Sequence, residues 1–375
     1  MRIIVITNTG LKRFCQVGGD DPNSPRVSLA YPFNGYLKEK GISVEIFSLK
    51  NRIVDSENIG QDLSLISYFK IIPFAKYFAS FDFIVTLGAM GPYLATILTP
   101  LLANKKVFTV VFANSPPPSE GILGKIKNLV FQTGLRTCGG LIYMTQEQMN
   151  YAIENFKLPL EKVHHLPLGV DTKFFVPLSS CVDVMVRKEL LDLPLKKYVV
   201  AAGDQLRDEH QIAKIMKETE LKLVRLTQSD RIEKFWEKFN QTNSGQADVF
   251  CKARLDFQEV RYVYQHALCV LNLVDNSWQP AGWTVATEAM ACGIPVVMNS
   301  GLVTRELKRY QDPPPLLEIS STPEIGEVRK ELKKLSADFT FAKNLGQSGR
   351  KYIEDNLQIE KTGEILINIL HKHLK

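Results

Sequence analysis

One carboxylate set among small residues dominates the chemistry open to this chain. In residues 284–297, TVATEAMACGIPVV, Glu288 stands near the start of a predicted helix, and Ala286, Ala289, Ala291 and Gly293 let another backbone come close. After Gly293, the residues Ile294, Pro295, Val296 and Val297 read as a short buried strand, so the unit is loop, helix, tight turn and strand. A helix N-terminus presents unpaired N–H groups to an anion, and a Glu one turn further in can accept from a pair of sugar hydroxyls. Gly282, Trp283, Thr284 and Val285 supply the amides at the head of this helix. That combination suits a nucleoside diphosphate. Ala, Met and Cys around Glu288 imply a buried helix, where an unpaired carboxylate is costly.

What positions such a site is an alternation of strands and helices. Apolar, β-rich runs at Ile3 to Thr7, Ser43 to Ser48, Phe83 to Leu87, Val107 to Phe112, Gly140 to Met144 and Lys162 to Leu166 predict a parallel sheet with helices on both faces. The pattern breaks over 176–196 and restarts with strands at Tyr198 to Ala202, Lys222 to Leu226, Val249 to Cys251, Cys269 to Leu273 and Pro295 to Met298, and a helix near His210 to Glu218. Two α/β domains are therefore expected, and 375 residues are too many for one ordinary core. Ligands in such sheets sit at the carboxyl ends of the strands, which makes the following loops the places to search.

Absent motifs narrow the class. The chain has no GxGxxG, no GxxxxGK[ST] and no Asp-x-Asp, which disfavours the common dinucleotide fingerprint, a P-loop and the usual metal-dependent sugar-transferase site. No metal or cofactor is expected. The net charge of +6 favours anionic ligands without demanding a polyanion, and nucleic acid is not an expected partner. Six scattered cysteines without a CxxC pair read as free thiols of a reducing cytosol, and MRIIVITNTG opens directly on a strand, with no signal peptide. A cytoplasmic protein is expected. Residues 83–103 are uncharged over nearly the roughly 20 residues that span a bilayer, yet Gly88, Gly91, Pro92 and Pro100 cut them into strand, turn and short helix.

Two segments resemble signatures of one family. TEAMACGIPVV is similar to the donor-site segment of family-4 retaining glycosyltransferases of the GT-B fold, in which the Glu before AMACG holds the donor ribose. LPLGVDTKFFVP, residues 166–177, resembles the interdomain signature of the same family. Their order and separation are more specific than either alone. The resemblance implies two Rossmann-like domains facing a central cleft: an acceptor-side domain over 1–175, joined by a C-terminal helix over 360–375 that crosses back to it, and a nucleotide-sugar donor domain over 176–359. It implies transfer of a sugar from a nucleotide donor to an acceptor hydroxyl with retention, a non-hydrolysing epimerase or a non-catalytic nucleotide-sugar-binding subunit of the same fold being the alternatives.

The resemblance also assigns residues. Departure of the nucleoside diphosphate builds negative charge that, without a metal, falls to fixed cations and amides. Arg207, in AAGDQLRDE behind Gly203, sits where the family places its phosphate-gripping base. Asp204 and Glu209 occupy the positions of its usual Arg and Lys, as in a branch whose loop reads Arg-Asp. The alternative for Arg207 is a surface pair with Asp204 or Asp208. Position 280, the usual second Glu, is proline, so Gln279 or Asn276 is left to face the donor sugar. Gly18 and Gly19 fit the Gly-rich loop after the first strand, or an ordinary turn. Asn114 replaces the usual His on the acceptor side; it can hold a hydroxyl but cannot shuttle a proton. His164 and His165 read as packing or hinge residues. Aromatic and basic side chains over 61–81 and 121–137 (Tyr68, Phe69, Lys70, Phe74, Lys76, Tyr77, Lys125, Lys127, Phe131, Arg136) suit either peripheral membrane contact or ordinary amphipathic helices.

Overall fold

The structure is a computed structural model that describes residues 1–7, 15–21, 24–27, 30–49, 69–88, 91–102, 107–111, 121–178, 186–217, 219–242, 249–253, 255–275 and 279–374, with backbone alone for 249–253. The chain divides into two compact units: residues 1–22, 26–169 and 359–375 form one, and residues 23–25 and 170–358 the other.

The first unit holds strands β1 (Arg2–Thr7), β2 (Ser43–Ser48), β3 (Phe83–Thr86), β4 (Val107–Val111), β5 (Gly140–Tyr143) and β6 (Val163–His165), all parallel, in the order β2-β1-β3-β4-β5-β6. Their burial on both faces explains the continuous apolar runs: every side chain of β3, β4 and β5 is buried. The longer helices here are α1 (Gly91–Leu101), α2 (Gly121–Thr137) and α3 (Gln146–Phe156). The uncharged segment 83–103 thus becomes β3 and α1, with Pro92 in the first turn where its missing N–H costs nothing. No helix among the described residues is long and apolar enough to cross a membrane.

The second unit carries β7 (Tyr198–Ala202), β8 (Lys222–Thr227), β9 (Val249–Ala253), β10 (Cys269–Asn272), β11 (Val296–Asn299) and β12 (Leu317–Ile319), again parallel, in the order β12-β11-β10-β7-β8-β9. Around them lie α4 (Glu209–Met216), α5 (Asp230–Thr242), α6 (Phe257–His266), α7 (Trp283–Ala291), α8 (Leu302–Lys308), α9 (Ile325–Ala337) and α10 (Phe339–Asn356). Strand order reverses between β7 and β10, so the loops leaving these two neighbours diverge to opposite faces and leave a crevice at their carboxyl ends. The close approach expected of the Glu288 helix is made to α10: a Cβ on Gly346 would lie 2.1 Å from the carbonyl oxygen of Gly293.

The chain then returns to the first unit through α11 (Ile359–Lys372), which buries Ile359, Leu366, Ile369 and Leu370. Gly363 lies flat on the ring of Tyr36, where a Cβ would come within 2.4 Å. His164 and His373 bond through their Nε2 atoms at 2.8 Å, and burial pushes the His164 imidazole down to about 4, with His373 and Lys372 adding to the effect.

Candidate functional site

The site grows from two adjacent strand ends. After β7, Gly203 turns the chain with φ +86°, and the loop through Arg207 ends at Asp208, whose carboxylate caps α4 by accepting from the Gln211 N–H at 3.0 Å. Leu206 holds a left-handed backbone, φ +55°, which costs about 1 to 2 kcal/mol for a residue with a Cβ. Its carbonyl accepts from the Asp275 N–H at 2.9 Å, and this bond ties the loop to the segment after β10.

Arg207 is not the surface ion pair that its neighbours allow. Its Nη2 donates to Asn272 Oδ1 at 2.7 Å and to the Ala202 carbonyl at 3.3 Å, and its Nε to the same carbonyl at 3.4 Å. Both acidic neighbours are engaged elsewhere. Asp204 accepts from Thr227 Oγ1 at 2.6 Å and from the Gln228 N–H at 2.9 Å, while Asp208 caps α4. Burial pulls the Arg207 guanidinium down to about 10, assisted by Arg225, so it stays charged at neutral pH.

Arg225 explains why Asp204 and Glu209 are acidic. This arginine on β8 is fully buried, donates twice to Glu209 at 2.5 and 3.0 Å, lies 3.9 Å from Asp204 and also donates to the Gly203 carbonyl at 2.8 Å. Trp236 Nε1 donates to Glu209 Oε2 at 2.7 Å, the oxygen that also accepts from Arg225 Nε. The cation that these carboxylates face thus stands on the sheet behind the loop. There it needs carboxylate partners, because an unpaired buried charge is costly.

From β10 the chain passes through Gln279 to Gly282, φ +82°, directly before α7. Only a glycine suits this place, since a Cβ would strike Asn272 at 2.7 Å. Gly282 brings no side chain to cap the helix. The Trp283 N–H is drawn back to the Pro280 carbonyl at 3.2 Å, which leaves Thr284 and Val285, whose amides have no acceptor within the helix. Trp283 itself is buried, and Thr284 is exposed.

Glu288 projects from the next turn of α7. Among the described residues no hydrogen bond or ion pair to its carboxylate is formed, and desolvation pushes its carboxyl up to about 8. Fully buried Tyr264 lies within electrostatic reach of both key side chains: burial raises its phenol most, Glu288 raises it further and Arg207 lowers it. The geometry thus brings Arg207, Gly203, Gly282, Thr284, Val285 and Glu288 to one switch point. Gln279 lines a small cavity beside it with Asp275, Asn299 and Gly301. Asn276 and Asn114 lie outside the described residues.

Gly18 and Gly19 belong to the first unit, in a wound turn over Gln16–Asp20. Gly19 has φ +112°, and Gly18 packs so tightly on Asn34 that a Cβ would lie 2.7 Å from it. The residue that sequence reasoning missed is Asn272. Only its place as a polar side chain ending an apolar strand, CVLN, could have flagged it.

No family model matches the sequence, and no curated protein matches it. Solved structures do resemble it over the whole chain. A sucrose-phosphate synthase from Thermosynechococcus elongatus is 16% identical with a TM-score of 0.74, covering 100% of this chain and 99% of its own. HepE from Anabaena, solved with UDP, is 13% identical with a TM-score of 0.67 over 99% of this chain and 100% of its own. An α,α-trehalose-6-phosphate synthase from Burkholderia multivorans is 12% identical with a TM-score of 0.70 over 99% and 98%. At such identities the likeness is one of fold: two Rossmann-like units with parallel sheets, the architecture of GT-B glycosyltransferases.

Proposed function

We propose that this chain is a metal-independent, retaining glycosyltransferase of the family-4 type, with a single-arginine phosphate loop, that moves a sugar from a nucleotide-sugar donor to an acceptor hydroxyl. One observation carries the reading: Arg207 keeps its charge at the switch point of the second unit while, among the described residues, its hydrogen bonds go to neutral groups. HepE has been solved with UDP and with UDP-glucose, which supports the same donor class here.

In this mechanism the diphosphate lies against the Thr284 and Val285 amides and the Arg207 guanidinium, and Glu288 accepts from the ribose hydroxyls. The bond from the sugar carbon to the diphosphate oxygen breaks, the acceptor oxygen bonds to the same face of that carbon, and its proton passes to the departing phosphate. Arg207 and the amides meet charge that grows as the bond lengthens, so they bind the transition state better than the donor. The acceptor belongs to the first unit. Incubation with a panel of nucleotide sugars, scored by release of free nucleoside diphosphate with and without acceptor, tests the reading. Donor binding without release in every case would instead make the chain a non-catalytic binding subunit.

The same reading includes contact with an anionic membrane through α2. Ile122, Leu123, Ile126 and Leu129 are exposed on it, at 77%, 70%, 43% and 66%, beside Lys125 and Lys127. Phe131 instead is buried, and Phe74 and Tyr77 pack on the core. The outer face of α2, rather than the aromatic set as a whole, has the amphipathic character of a surface-binding helix.

A further inference from the structure

We propose that Asn272 is a positioning residue that holds Arg207 in place without neutralising it, an inference that rests on the reading of Arg207 as the cation facing the donor phosphates. Asn272 ends β10 and is fully buried. Its Nδ2 donates to the Gly282 carbonyl at 2.8 Å, and its Oδ1 accepts from Arg207 Nη2 at 2.7 Å. The two bonds fix each other. With the amide N–H turned to a carbonyl, its oxygen is the only face left for the guanidinium. One buried amide thereby sets the spacing between the cation loop after β7 and the glycine that opens α7.

The contrast with Arg225 shows what an amide does that a carboxylate would not. Arg225 is clamped by Glu209 at 2.5 Å with Asp204 at 3.9 Å, an arrangement that pairs its charge with carboxylates. Arg207, close enough for Arg225 to depress it, is held by Asn272 and two backbone carbonyls, those of Ala202 and Gln205. An aspartate at 272 would keep the contact to Arg207 and quench its field, and would set a second acceptor against the Gly282 carbonyl. Charge and geometry can therefore be separated at one position.

The full-length chain is compared as wild type, Asn272→Ala, Asn272→Asp, Arg207→Met and the double variant Arg207→Met/Asn272→Ala. Turnover is measured on the best donor of the panel, affinity for inorganic pyrophosphate by calorimetry, and stability by urea unfolding. Asn272→Ala is expected to lower kcat about 10-fold with a smaller change in donor KM, as loss of orientation does. Asn272→Asp is expected to lower kcat and pyrophosphate affinity at least as far, although it preserves the contact. In urea, the double variant should lose less than the sum of the single losses. Wild-type kcat and pyrophosphate affinity in a folded Asn272→Asp chain would overturn the positioning role while leaving the site intact, and additive urea losses would overturn it independently of any ligand. A wild-type chain that neither binds pyrophosphate nor turns over a nucleotide sugar would overturn the reading of the site, and the purpose assigned to Asn272 with it.

Discussion

Two residues of the second unit carry charge in opposite conditions, and each yields a test. Desolvation holds the Glu288 carboxyl near 8, above its ordinary 4.5, so in the empty protein at neutral pH it is mostly protonated. Ribose hydroxyls donate, and the ionised form accepts them best. Donor affinity should therefore rise between about pH 6 and 8 and level off above, with proton release on binding near pH 7. The same shift acts on stability with the opposite sign. A carboxyl whose folded pKa is raised loses stability as pH climbs from the ordinary value to the raised one, so Glu288→Gln should unfold later than wild type at pH 8.5 and equally at pH 4. Urea titrations at both values, paired with calorimetry of nucleotide binding, check this. Glu288→Ala should weaken the nucleotide by on the order of 2 to 3 kcal/mol. For Arg207 the expected signature is kinetic: Arg207→Ala should lower kcat about 100-fold with a smaller rise in donor KM, and Lys should recover only part, since an ammonium lacks the two-pronged fork. Full activity in Arg207→Ala would move the phosphate elsewhere. Both residues were legible in the sequence because each sits in a recognisable local frame, TEAMACG and AAGDQLRDE. Asn272 was not, since its role is defined by Arg207 and Gly282, partners 65 and 10 residues away.

Elements were legible where period and punctuation agree. Central strands such as β3, β4 and β5 announce themselves as buried apolar runs, while β12 passed unnoticed because its three residues, LEI, follow the proline run Pro313 to Pro315 and carry a Glu. The loop after β7 could be placed but not understood from sequence. Its two acidic residues look like losses of cations until β8 supplies Arg225 beside them. The contact between α7 and α10 shows the limit in another way: the small residues on α7 predict a close neighbour, but Gly346 on α10, which makes the approach possible, has no local signature. Gly346→Ala should cost about 1 to 3 kcal/mol through overpacking, because the clash is with the Gly293 backbone rather than a side chain that can swing away. Urea unfolding measures it, and an unchanged midpoint would mean that the two helices separate at little expense. On α2, replacing Ile122 and Leu123 by Ser should weaken sedimentation with anionic vesicles, leave neutral vesicles unbound as before, and change stability little, since both side chains are already exposed.

At the scale of the whole molecule, the chain's route matters more than either unit taken alone. It builds the first sheet, leaves for the second unit at 170, and returns at 359 to finish the first. The returning helix α11 is a working part of that first core: Ile359 packs with Tyr31 and Tyr36, and Thr362 donates to the Pro167 carbonyl at 3.0 Å. Arg26 and Glu360 pair at 2.8 Å on the same face. Each of these contacts joins segments more than 190 residues apart, so the first unit cannot complete itself until the α11 segment is made. The sequence of 360–374 is amphipathic and the resemblance implies its return to the first domain, but its contact on Tyr36 was not legible, because a glycine that meets a tyrosine ring looks like any helix glycine. Gly363→Val should therefore destabilise the first unit selectively. A branched side chain has no room beside Tyr36, where even a Cβ would come within 2.4 Å, and the helix must lift or the ring must turn. Hydrogen exchange followed by mass spectrometry reads the two units separately. Faster exchange is expected in β1, β2 and α11, with β7, β8 and β10 protected as in wild type. Equal loss of protection in both sheets would show that the units unfold as one, and that the return of α11 binds the stability of the second sheet to that of the first.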